Sequence, residues 1–106
     1  MQRLTAFSLN VQNDGHQTVA AVKGEVDISN ATELALRLEG AARQADGGLT
    51  VDLSDLRYMD SSGLHSLMAV HNAHSDTRLV VRDGSLVARV IRVAGLSEIF
   101  EVLSHA

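Results

Sequence analysis

The apolar pattern of this chain predicts a mixed α/β domain. The sheet is small, about four or five strands, opened by an N-terminal hairpin and otherwise largely parallel, with three or four amphipathic helices packed on it. Three observations lead there. Two alternating stretches, residues 4–11 and 17–26, flank the tripeptide Asn13-Asp14-Gly15, which suits a tight turn. Beyond residue 28 the apolar period switches repeatedly between helical and extended spacing. Strands alternating with helices imply parallel pairing through right-handed crossovers. No Pro and no low-complexity linker breaks the 106 residues, so a single domain spanning 1–106 is expected.

Taken in order, LTAFSLNV at residues 4–11 places Phe7, Leu9 and Val11 on one face of a first strand. QTVAAVKGEV at 17–26 returns as the second, with apolar residues on both faces, as in an inner strand. From 29 to 45 the stripe Ala31, Leu34, Ala35, Leu38, Ala41, Ala42 and Ala45 predicts a helix, capped by Ser29 or Asn30 and stopped by Gly47-Gly48. LTVDL at 49–53 is a strand whose Thr50 and Asp52 look outward, and a short loop leads from it to DSSGL at 60–64. A second helix over 61–74 carries Leu64, Leu67, Met68 and His71 on one face. RLVVR at 78–82 is a strand ending at Asp83-Gly84. Leu86, Val87, Val90, Ile91 and Ala94 mark a third helix closed by Gly95, and EIFEVL at 98–103 is a last short strand or turn.

Composition excludes several classes. With no Cys, neither a disulfide frame nor a thiolate metal site exists, which fits a reducing compartment. The N-terminal stretch lacks an apolar signal core, and no run is long enough to span a bilayer, so a cytoplasmic protein without membrane contact is expected. Net charge is −4, the nine basic residues are dispersed, and Phe7, Tyr58 and Phe100 are the only aromatics. A nucleic-acid binder needs a basic face or a stacking platform, and neither is visible.

The topology also predicts where function concentrates. If strands 17–26 and 49–53 run parallel in one sheet, the loops after them open at the same edge. That edge is where open α/β sheets usually receive ligands and partners. Asp27, Asp60, Ser61 and Ser62 should then be neighbours despite a separation of about thirty residues. Pure helix capping accounts for Asp60, Ser61 and Ser62 on local sequence alone. Gly63 in a first helical turn is unfavourable by up to about 1 kcal/mol relative to Ala. It implies a close approach to the backbone, by a partner surface or by tight packing.

GEVDISNATEL at 24–34, VDLSDLRYMDSSGL at 51–64 and VARVIRVAGLSEIFEVL at 87–103 resemble, in the same order and spacing, the anti-sigma factor antagonists, single-domain STAS proteins of bacteria. The resemblance implies a partner switch in transcription regulation and stress response. The unphosphorylated antagonist binds an anti-sigma factor with serine kinase activity and releases the sigma factor. Phosphorylation of one serine ends binding, and a separate phosphatase resets it. The first hydroxyl after the Asp is the family's target, here Ser61, with Ser62 as its neighbour and Asp27 in the acidic loop beside it; physics alone does not choose between Ser61 and Ser62. The expected binding surface comprises Asp27, Met59, Asp60, Ser62, Gly63, Leu64 and His65, with ATP belonging to the kinase and no cofactor here. His65 departs from the family, which often has a small residue there. Other relatives with this fold are docking subunits that are never phosphorylated, for instance in lipid-transport complexes, and that is the alternative reading.

Other chemistries have less to stand on. Ser61 and His65 are one helical turn apart, but the nucleophile-elbow pattern G-x-S-x-G and a third orienting group are missing, so a hydrolase is not expected. No G-x-x-x-x-G-K phosphate loop occurs. His71 and His74 stand three apart without a clear third ligand, and a favourable charge at a helix C-terminus accounts for them; no metal is expected. Asp27, Asp52 and Asp60 could suggest a receiver domain, but its five strands and five helices need a longer chain.

Overall fold

A computed structural model describes residues 5–13 and 16–105. Its elements are β1 (Phe7–Asn13), β2 (Thr18–Val26), α1 (Ala31–Arg43), β3 (Leu49–Asp52), β4 (Leu56–Met59), α2 (Ser61–Ala73), β5 (Thr77–Arg82), α3 (Leu86–Val93), a 3-10 turn at Leu96–Glu98, and β6 (Glu101–His105). The mixed α/β class is as the sequence predicts, with six strands among the described residues where four or five were expected. Asp14 and Gly15 of the hairpin turn lie outside the described residues. No helix among those described is long and apolar enough to cross a membrane.

The sheet runs β1-β2-β3-β5-β6, and β4 pairs with β2 off this path. β1 and β2 are antiparallel, and every other pair is parallel. The extra strand lies in the stretch that the sequence reads as a short loop. β3 runs beside residues Thr18 to Ala21, and β4 takes over beside Gly24 to Val26. Between them Leu53 N bonds to Val80 O at 2.7 Å, drawing the chain toward β5. Asp52 Oδ1 then accepts from Ser54 N at 3.0 Å and Ser54 Oγ at 2.6 Å, an Asx turn. Arg82 holds that turn in place, donating from Nε to Ser54 O at 3.1 Å and from Nη2 to Asp55 Oδ1 at 3.0 Å. The sequence gives β4 little signal, because LRYM buries only its two end residues and a register shift between Gly24 and Glu25 spoils the period of two.

One face of the sheet carries the core. Ala20, Val22, Val51, Leu79 and Val81 point to it from the strands, Leu34 and Leu38 from α1, Leu67 and Val70 from α2, and Val87 and Ile91 from α3. Each fully buried Leu, Ile or Val contributes about 1.5–3 kcal/mol. All three helices therefore pack on the same face. The opposite face bears Lys23, Asp52 and Arg78. Thr50 lies on that outer face, as expected, but it is buried, with Gln17 Nε2 at 3.4 Å from its hydroxyl. It is a covered position, not an exposed one.

Two helices depart from their predicted faces or caps. α2 buries Gly63, Ser66, Leu67 and Val70, while Leu64, Met68 and His71 are half-buried. The contact stripe is thus rotated toward the small residues, which let the helix approach closely. At α1, Asn30 stands at the N-cap position without a capping bond. Its side chain turns back instead, donating to Glu25 O at 3.0 Å and Thr5 O at 3.3 Å and accepting from Asp27 N at 3.0 Å. α3 is capped by Ser85, whose Oγ accepts from Ala88 N at 3.0 Å.

Gly24 is the hinge of the β2 register shift. Its φ is +102°, and a Cβ there would lie 2.4 Å from Ala6 O. Both strain and a backbone clash oppose any side chain. Gly24→Ala is expected to lower stability by about 1–3 kcal/mol. Urea denaturation checks this: the midpoint should fall at unchanged slope, and an unchanged midpoint would show that the bulge relaxes freely.

Candidate functional site

Val26 of β2 and Met59 of β4 are register partners in a parallel pair. The next residues, Asp27 and Asp60, therefore leave the sheet side by side. The meeting of the two loops expected from the topology is realised, but through β4, not through β3.

On the first loop, Asp27 organises the backbone. Its Oδ1 accepts from Ser29 N at 2.8 Å and Ser29 Oγ at 2.5 Å, its Oδ2 accepts from Thr5 Oγ1 at 2.8 Å, and its carbonyl accepts from Ala31 N at 3.0 Å. Glu25, before it, lies 3.8 Å from Arg57 on β4. These contacts hold the loop in a fixed shape. They also push Ile28 outward, where it is 84% exposed. Exposure alone does not single it out, since Val93 is 79% exposed; its position does, because Ile28 shares a groove with Ser62 and His65 of α2. The sequence reading passed over it, because a single apolar residue between Asp27 and Ser29 belongs to neither a strand nor a helix stripe.

On the second loop, Asp60 is the N-cap of α2. Its Oδ1 accepts from Ser62 N at 2.9 Å, and Leu64 N bonds to its carbonyl at 3.2 Å. The capping role considered for this triad thus falls to Asp60. Ser61 is exposed at the first helical position, and Ser62 is half-buried. Leu64 is half-buried and His65 exposed.

Met59 and Gly63 do not lie on the surface drawn from the sequence. Both are buried, Met59 with 1% exposure. A Cβ on Gly63 would lie 2.2 Å from Met59 Cγ, 2.8 Å from Met59 Sδ and 3.3 Å from Val26 Cγ1. Of the two explanations for a glycine in the first turn, tight internal packing is the one observed.

Ser66, also missed in the sequence, ties the two helices together. It is buried, and its Oγ donates to Ala31 O at 2.7 Å, with Ser62 O at 3.2 Å. Above it opens a groove of about 350 Å³, with Ile28, Ala31, Thr32 and Ala35 on one wall and Ser62, His65 and Ser66 on the other. The only sequence sign of this was a serine on an otherwise apolar helix stripe.

The remaining candidates have structural work. His71 packs edge-on against Phe100, ring centroids 4.8 Å apart at 62°, and the His74 carbonyl accepts from Thr77 Oγ1 at 2.6 Å. The carboxylates that a Ser61–His65 pair would recruit for nucleophilic chemistry are engaged by Ser62 N and by Thr5 and Ser29. Gly63→Ala should destabilise the domain by about 1–3 kcal/mol through overpacking. In a double-mutant cycle with Met59→Ala the combined loss should be smaller than the sum. Strict additivity in chemical denaturation would mean that the two do not share the space.

Comparison with known proteins agrees with this architecture. A family model described as "Mlab, STAS domain" matches residues 9–103. An anti-sigma factor antagonist from Mycobacterium paratuberculosis superposes with a TM-score of 0.82 at 24% identity, over 92% of this chain and 86% of that one. The anti-sigma factor antagonist SpoIIAA in its unphosphorylated form gives 0.68 at 17%, over 93% and 89%. The phosphorylated form of the Bacillus cell fate determinant SpoIIAA gives 0.58 at 17%, over 93% and 92%. At these identities the structural likeness is one of fold. The family match spans nearly all of the sequence, and the chain belongs to the STAS domain family.

Proposed function

We propose that this protein is an anti-sigma factor antagonist. Its unphosphorylated form binds an anti-sigma factor with serine kinase activity, and phosphorylation of Ser61 ends the complex. The observation that carries this reading is the placement of Ser61. It is exposed at the first position of α2, while the bonds that hold the edge together belong to Asp60, Ser66 and Asp27. A group added there breaks none of them.

The chemistry is a phosphoryl transfer run by the partner. Ser61 Oγ forms a bond to the γ-phosphorus of ATP held by the kinase, the bond from that phosphorus to the bridging oxygen breaks, and ADP leaves. The hydroxyl proton passes to a base on the kinase. A phosphatase later hydrolyses the ester with water. The binding surface comprises the Asp27 loop with Ile28, and Ser61, Ser62, Leu64 and His65 of α2. Burying Ile28 alone offers about 1.5–3 kcal/mol to a partner with an apolar surface. A circuit of this kind operates in the cytoplasm.

Electrostatics explains the release. A phosphoserine carries about −1.5 to −2 charges. A partner carboxylate about 5 Å away would be repelled by roughly 3 kcal/mol per unit charge at an effective dielectric near 20. With the desolvation of the phosphate added, affinity falls at least about a hundredfold.

A second reading keeps the surface and drops the phosphate: a constitutively docked subunit of a larger assembly, such as a lipid-transport complex. What favours it is that the matched family model is described by Mlab and not by the antagonists. The intact mass of the protein recovered from cells separates the two. Partial addition of one phosphate, absent in Ser61→Ala, supports the switch. Its complete absence under all growth conditions supports the constitutive subunit. Phosphate on Ser62 alone would move the site.

Two binding outcomes are expected. Ser61→Ala should retain partner binding, while Ser61→Asp should weaken it at least about tenfold with an unchanged circular dichroism spectrum. Calorimetry with the captured partner reads both, and an unfolded Ser61→Asp protein would remove the electrostatic account. Ile28→Ala should likewise weaken binding about tenfold without lowering the melting temperature; full affinity would place the interface elsewhere.

A further inference from the structure

The first turn of α2 has an amide arrangement that bears on any phosphate at Ser61. The anion slot of a helix N-terminus consists of free N–H groups. Here the Ser62 N–H is already bonded to the Asp60 carboxylate at 2.9 Å. A phosphate on Ser61 therefore meets a partly filled slot with a carboxylate beside it. The helix end therefore favours it less than a free N-terminus would, and a nearby cation would add to its stabilisation.

We propose that His65 is the counter-ion of a phosphate on Ser61, a positioning residue that holds the dianion against the first turn of α2 and ties the phosphorylated state to pH. This rests on the phosphorylation reading above. Three observations carry it. His65 is four residues after Ser61 on a continuous helix, and both are exposed. Residues so spaced are neighbours about 5–6 Å apart at Cβ, and an anion N-terminal to a cation is the favourable order. Helical side chains also lean toward the N-terminus, so His65 covers the turn that holds Ser61 and Ser62. Finally, the His65 side chain is committed to no hydrogen bond or ion pair among the described residues, so it is available to a phosphate on the turn before it.

The surroundings leave this role to His65. The facing wall from α1 and its preceding loop is uncharged, made of Ile28, Ala31, Thr32 and Ala35. On that loop and at the cap of α2 stand Asp27 and Asp60, both negative, and the α1 cations Arg37 and Arg43 lie 3.7 Å from Glu33 and Glu39. From β4, which also packs under α2, Arg57 lies 3.8 Å from Glu25.

The sign of the pH effect follows. An imidazole ordinarily titrates near 6.5 and a phosphoserine's second step near 6. Pairing raises the first and lowers the second. The contact is present below the raised imidazole midpoint and is lost as pH rises through it. It weakens again at low pH as the phosphate dianion takes up a proton and becomes a monoanion.

The test uses the full chain with phosphoserine genetically encoded at position 61, followed by 31P and histidine NMR titrations. The phosphate midpoint should lie about half a unit lower in the wild type than in His65→Gln. His65→Arg, which keeps a cation, should restore the lower value. Equal phosphate midpoints in the wild type and His65→Gln would overturn the pairing. Because no kinase takes part, that failure leaves the switch itself standing, whereas a cellular protein that never carries phosphate would refute the switch and not the pairing.

Discussion

The parallel pairing of Val26 with Met59 is the contact on which the arrangement of this edge depends. Adjacent strands lie about 4.8 Å apart, so Asp27 and Asp60 leave the sheet as neighbours. The candidate site is then built outward from that pair. β4 is short and irregular, and it stays in place because other groups fix it: Arg82 clamps the turn before it, and Gly63 lets Met59 reach under the helix after it. The bulge at Gly24 permits the register shift that brings β4 into line. Stability and site geometry are thus decided by the same few contacts.

A division of labour between rigid support and free surface runs through the edge. Asp27 spends its carboxylate on Thr5 and Ser29, Asp60 on the Ser62 amide, and Ser66 on the Ala31 carbonyl. What remains outward is Ser61, Ile28 and His65. A preorganised surface loses little conformational entropy when it binds. It also has no structural reason to collapse when one hydroxyl is modified. Under the proposed phosphorylation of Ser61, loss of affinity with retention of fold is the outcome expected of such a layout.

Most of the architecture was legible in the sequence, because the strong periodic elements declare themselves. The stripe from Ala31 to Ala42 and the alternation in 17–26 leave little room for another fold class. The neighbourhood of Asp27 and Asp60 also followed from topology. The misses share a cause. β4 buries too few residues to show a period, Thr50 is covered by groups outside its own strand, Gln17 among them, and Asn30 bonds backward through tertiary contacts instead of capping. Met59 and Gly63 looked like surface because a motif is read as exposed when part of it is. Their complementarity, a missing Cβ against a long side chain, is a relation between two positions, and a linear pattern does not display it. Ile28 failed to stand out for the opposite reason: exposure of an apolar residue is a fact of three dimensions.

Asp60 limits what a phosphate at Ser61 gains from the fold. Taken from the sequence, the helix N-terminus would favour a dianion by about 0.3–1 kcal/mol. Asp60 already collects part of that benefit by bonding the Ser62 amide. Its own charge then opposes the newcomer, so the local balance is closer to neutral than the helix dipole suggests. A neutral balance has a functional advantage. A phosphate clamped tightly by its own helix would be withdrawn from a partner and from a phosphatase alike, whereas one held mainly by a titratable side chain stays near the surface and can be removed. In the proposed switch the interface, not the helix, would then set the free energy.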